Sequence, residues 1–176
     1  MKKNNRLILD VLGYIVVFIA VQFVVSLVAL YLDDSIKHPP SASAKALTLS
    51  SVVSSVILIA LFVWRKWAPI SRYYIQQKPW DVLIWAILAG LGAILPLQWL
   101  YEQMNITMTD DVKHLFESIM GSRWGYLALG ILAPVAEELV FRGAILRSLM
   151  DYFNHRLPSI PIVASALLFG AVHGNM

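Results

Sequence analysis

No cysteine occurs among the 176 residues, which excludes disulfides, thiolate metal sites and a thiol nucleophile. Charge is scarce too: 14% of the residues are charged, against about a quarter in a soluble domain. The chain has no internal repeat, no low-complexity tract and no linker long enough to divide it, so a single membrane domain over residues 1–176 is expected. The basic start MKKNNR resembles the head of a signal peptide, but the apolar run behind it is about twice the usual length and no small-x-small cleavage pattern follows. That run is therefore expected to stay as a transmembrane helix.

What is abundant is apolar. Hydrophobic residues make up 59% of the chain and the mean hydropathy is +0.68, the composition of an all-α, multi-pass membrane helix bundle. About five helices are expected, over Val11 to Leu32, Ala46 to Trp64, Val82 to Tyr101, Trp124 to Met150, and from Ser159 to Met176, where the chain stops and leaves the fifth short. Pro96 would bend the third. Tryptophan and tyrosine sit near the ends of these runs, where amphipathic rings favour the headgroup layer. Basic residues collect at Lys2, Lys3 and Arg6, at Arg65, Lys66, Arg72 and Lys78, and at Arg142, Arg147 and Arg156. By the positive-inside rule these three groups are cytoplasmic, with the N-terminus, in a cell membrane. They mark helix ends and form no single basic face, so a nucleic-acid partner is not expected. The acid-containing connectors, among them EQMNITMTDDVKHLFESIMGSR, are read as external loops, and DDVKH within that stretch as solvated loop. Gln22 and Gln98 are read as bonding between helices.

The fourth helix carries charge where lipid would forbid it. In APVAEELVFRGAILR, Glu138 and Arg142 are four residues apart, neighbours on one face with the acid toward the N-terminus, and are expected to pair. Glu137 points about 100° away. An unpaired carboxylate at membrane depth costs several kcal/mol or takes up a proton, so Glu137 should face protein or a wet cavity. Pro134 removes a backbone donor just upstream and lets the helix open. The bland alternative is a solvated helix mouth, against which stand apolar residues on both sides of the three charges. On the fifth helix, FGAVHGN puts Phe169 and His173 on one face. A carboxylate and an imidazole on adjacent helices can hold one water between them, or supply two ligands to a divalent metal such as zinc.

EELVFR and FGAVH, in this order and with this gap, resemble the Glu-Glu-x-x-x-Arg and Phe-x-x-x-His motifs of the CPBP intramembrane proteases, which include type II CAAX prenyl endopeptidases and bacteriocin-processing or immunity proteins. The resemblance covers residues 124–176, a partial CPBP-type protease core. It implies hydrolysis of a peptide bond in a prenylated, bacteriocin-type or membrane-protein substrate, with Glu137 and His173 activating water and Glu138 and Arg142 supporting the site. Both a metal-dependent mechanism, with Glu137 and His173 as ligands, and a metal-free glutamate mechanism are compatible with it. The family carries a further histidine, followed four residues later by asparagine, on a later helix. The chain stops three residues after His173, so weak or no activity is expected of residues 1–176 alone. The competing expectation is a non-catalytic immunity or scaffold protein.

The cysteine-free background makes topology directly measurable. Single cysteines placed at Ser43 and Ser71 are expected to differ in access to an impermeant thiol reagent in intact cells, Ser43→Cys reacting and Ser71→Cys not. Equal labelling would overturn the orientation.

Overall fold

The computed structural model describes residues 2–33, 44–69, 80–104, 110–121, 124–153, 157 and 159–173. Ser43, Ser71, Arg72, Lys78 and Arg156 lie outside the described residues. Every regular element among the described residues is helical, the all-α architecture expected of the composition. The chain divides into two compact units, Met1–Pro69 with Ser118–Met176, and Ile70–Glu117.

In the first unit, α1 (Lys2–Leu32) and α2 (Ala44–Trp64) pack side by side. Helix α1 already begins within the basic N-terminus, well before the apolar run. In the second unit, α3 (Trp80–Gln103) holds Pro96 inside it and buries no residue. Stretches of all three, Arg6–Leu32, Lys45–Trp64 and Trp80–Gln103, are long and apolar enough to cross a membrane. Side chains such as Val16, Phe23, Trp85 and Leu95, each more than 60% exposed, would be untenable in water in such number. Lipid requires no protein to cover them. The protein is a membrane protein on these grounds.

The connector read as loop contains a helix, α4 (Asp110–Met120), so DDVKH is helical and not solvated loop. The run is amphipathic in sequence, and Asp110 stands at its N-terminal end, where the helix dipole favours acid. His114 lies 3.7 Å from Glu117, one turn on. Gln98, read as bonding between helices, bonds Glu102 of its own helix among the described residues.

Residues 125–152 form one continuous helix, α5, whose hydrogen bonding changes along its length. It turns from α (Gly125–Leu127) to π (Ala128–Leu132), back to α (Ala133–Glu138), to π again (Leu139–Leu146) and ends as α (Arg147–Tyr152). The first widened turn directly precedes Pro134, which lacks the N–H of an ordinary α turn and whose ring crowds the turn before it. The second presents Val140, Phe141, Ala144 and Ile145 to the core, where they meet Val11 and Phe18 of α1 and Leu58 and Phe62 of α2. Helix α6 (Ser159–His173) packs against this second π stretch.

The end of α2 is fixed by backbone geometry. Trp67 N–H donates to the Phe62 carbonyl at 3.0 Å and Lys66 N–H to the Val63 carbonyl at 3.1 Å, the paired bonds of a Schellman motif. The motif needs a left-handed residue, and Lys66 supplies it with φ 56°, at a strain of about 1 kcal/mol that glycine would avoid. The apolar contact that accompanies such ends is the Trp67 ring set edge-on to Phe62 at 5.1 Å, with the Arg65 guanidinium 5.3 Å above the indole. The chain then passes Gly143 so closely that a Cβ there would lie 2.8 Å from the Ala68 Cβ. Arg147 holds the same segment by donating to the Pro69 carbonyl at 3.1 Å.

Gly143→Ala is therefore expected to destabilise the folded protein by about 1–3 kcal/mol through overpacking, seen as a lower thermal midpoint in micelles. Ala68→Gly in the same chain should restore most of it. A Gly143→Ala variant as stable as the parent would show that this contact yields freely.

Candidate active site

Helical phase separates the two adjacent glutamates. Arg142 donates to Glu138 one turn below it, both groups more than half exposed, so the pair resembles a surface ion pair in environment. Glu137 turns the other way, toward α6. Its Oε1 lies 3.2 Å from Nε2 of His173, with the carboxylate side chain 24% and the imidazole 37% exposed. Glu137, Glu138, Arg142 and His173 thus fall into two pairs on different faces of α5, and one pair joins two helices.

The His173 ring is held from three directions. Nδ1 donates to the Phe169 carbonyl at 2.9 Å. A carbonyl oxygen only accepts, so that bond keeps a proton on Nδ1 and turns Nε2 to Glu137. The Phe169 ring stacks on the imidazole at 4.1 Å and 26°, and Phe141 stands edge-on to both, 5.1 Å from Phe169 and 6.2 Å from His173. Phe18 of α1 continues the series, edge-on to Phe141 at 5.4 Å. Aromatic pairs contribute about 0.5–1.5 kcal/mol each beyond area burial. The series is comparable in energy to the rotamer freedom it removes from four side chains.

The distance between helices is pinned by Ser165, buried on α6, which donates its hydroxyl to the Phe141 carbonyl at 3.2 Å. That carbonyl belongs to the second π stretch, so the widened turn both carries Phe141 and offers the acceptor that fixes α6.

Glu137 and His173 open onto a cavity of about 300 Å³. Its walls come from α1 (Phe18, Gln22, Ser26), from α2 (Ser50, Ser51, Ser54, Ser55, Leu58) and from α5 (Leu129, Ala133, Ala136). Gln22, expected to bond between helices, lines this cavity. The α2 serines are a part of the site that sequence reasoning passed over. The signal was present as SSVVSS, two pairs of hydroxyls one helical turn apart in an otherwise apolar span.

Glu137 and His173 give two metal donors, and among the described residues no third His, Asp or Glu joins them. A catalytic zinc takes three protein ligands and a water. Among the described residues the donor set is one protein ligand short of such a centre.

Residues 119–176 match the family model described as Rce1-like, type II CAAX prenyl endopeptidase Rce1-like, in agreement with the resemblance carried by EELVFR and FGAVH. The match lies over the stretch that carries both motifs. No curated protein and no solved structure matches the chain.

Ser165→Ala should lower stability by about 1 kcal/mol, the usual net worth of one hydrogen bond, whereas Ser165→Thr keeps the donor and should lose less. Thermal unfolding in micelles measures both. Equal loss in the two variants would assign the effect to packing and not to the bond.

Proposed function

We propose that the protein is a membrane endopeptidase in which Glu137 and His173 activate water against a peptide bond of a membrane-anchored substrate, a prenylated peptide being the class that the family description names. The observation that carries this reading is the 3.2 Å contact between Glu137 Oε1 and His173 Nε2 at the wall of a polar cavity.

Proton accounting gives the roles. With Nδ1 occupied by the Phe169 carbonyl, a close Nε2–Oε1 contact holds one further proton, since otherwise two lone pairs would face each other. In the ion-pair form Glu137 is a carboxylate able to take a proton from water, and His173 is an imidazolium able to give one. Water oxygen bonds to the carbonyl carbon as its proton passes to Glu137. The carbon–nitrogen bond then breaks as His173 protonates the departing amine. Transfer of the proton from Glu137 to His173 across the 3.2 Å gap restores the starting state. No metal enters this sequence. Glu138 and Arg142, paired with each other, keep the arginine from competing for Glu137. The loop charges support a cytoplasmic N-terminus and a location in the cell membrane.

The test is cleavage of a quenched, farnesylated peptide in membranes containing the protein produced from its own reading frame. Glu137→Gln and His173→Ala are each expected to reduce the rate at least about a hundredfold, and treatment with a zinc chelator to leave it within about twofold. Undiminished cleavage by Glu137→Gln would overturn the hydrolytic reading in favour of a scaffold, and loss of activity restored by added zinc would overturn the metal-free form.

A further inference from the structure

The turn that closes α2 holds two cations side by side. Arg65 and Lys66 are both exposed, and among the described residues neither lies within salt-bridge distance of a carboxylate. A tryptophan stands on either side of them. Trp64, 78% exposed, ends a helix long and apolar enough to cross a membrane. Trp67 is fixed in place, its ring 5.3 Å from that of Tyr14 on α1 and 5.1 Å from that of Phe62. The Arg65 guanidinium lies over this indole at 5.3 Å. A guanidinium engaged through its face keeps the N–H donors at its edge for an acceptor.

Two ordinary roles explain cations here in part. They complement the dipole at a helix C-terminus and they orient a span in the membrane. Neither role calls for a guanidinium set on an immobilised ring, nor for a lysine at the one position, φ 56°, where glycine would be free of strain. Depth selects the ligand that does. Tryptophans before and after the turn put it in the headgroup layer, where anionic lipids supply phosphate oxygens and attract basic residues. We propose that Arg65, Lys66 and Trp67 form a binding site for the phosphate of an anionic phospholipid in the leaflet at this end of α2, with Trp64 against the lipid's glycerol and upper chains. The guanidinium and the ammonium donate hydrogen bonds to the phosphate, and no covalent bond changes. The next two residues are in contact with α5, Ala68 at Gly143 and the Pro69 carbonyl at Arg147. Lipid held at the turn therefore steadies the junction of α2 with α5. The proposal is independent of the hydrolytic reading of Glu137 and His173.

Thermal unfolding of the whole chain in neutral detergent micelles tests it, with dioctanoyl phosphatidylglycerol, dioctanoyl phosphatidylcholine or inorganic phosphate added. Phosphatidylglycerol should raise the midpoint saturably. Phosphatidylcholine, which has no net charge, and inorganic phosphate, which has no chains, should each leave it nearly unchanged at the same concentration. Arg65→Gln and Lys66→Gly should each weaken the apparent affinity for phosphatidylglycerol about fivefold, and the double variant about 25-fold. Lys45→Gln, at the opposite end of α2, should match the parent. Lys66→Gly separates binding from folding: by relieving the backbone it should unfold no earlier than the parent without lipid, yet respond less to phosphatidylglycerol. An equal response to the two lipids, a full response to inorganic phosphate alone, or an undiminished response of the double variant would each overturn the proposal.

Discussion

A carboxylate carried on an apolar helix must find a partner or lose its charge, and the arrangement of α5, α6 and α2 follows from how Glu137 meets that requirement. At the centre of a bilayer an ionised acid costs about 2.5–3.5 kcal/mol on insertion scales. Arg142 is one turn from Glu138 and bonded to it, so it cannot serve the carboxylate that points 100° away. The partner has to come from another element. It comes from the last turn of α6, where His173 is close enough to share a proton with Glu137.

Holding that contact is a matter of placing α6 accurately, and the second π stretch is the device. Widening Leu139–Leu146 brings Phe141 into the core against Phe18 and Phe169, and the same residue's carbonyl receives the Ser165 hydroxyl. One residue thereby sets both the tilt of the His173 ring and the spacing of the two helices. On its other side the stretch has a glycine, Gly143, where the segment after α2 crosses it at Ala68. Positioning matters chemically, because an error of about 1 Å in a reacting group can cost a hundredfold in rate.

The spans over α1, α2 and α3 were legible because hydropathy sums over twenty residues and is insensitive to detail. The two pairings of Glu138 with Arg142 and Glu137 with His173 were legible for another reason: helical phase is rigid, so adjacent acids cannot share one arginine. Helix α4 was not legible, since its short amphipathic run lies among polar residues that suit a loop equally well. The π turns were also invisible. The first stands before Pro134 and the second packs in the core, and local sequence has no fixed signature for either. The serines escaped notice because a hydroxyl on a membrane helix usually bonds its own backbone and says nothing about function. Only the three-dimensional arrangement separates Ser50 and Ser54, which do so, from Ser51 and Ser55, which do not.

That separation carries a physical consequence of its own. A hydroxyl moved from water into a medium with no hydrogen-bonding partner costs about 4–8 kcal/mol, so two partnerless serines facing hydrocarbon would outweigh much of the stability of a small bundle. Facing water they cost almost nothing. Their presence beside Glu137 and His173 therefore calls for water in the cavity that they line, and the same water would solvate the carboxylate and the imidazole. Solvation of the α2 hydroxyls and of the pair are then two effects of one cavity. Filling it with a large apolar side chain would remove both together.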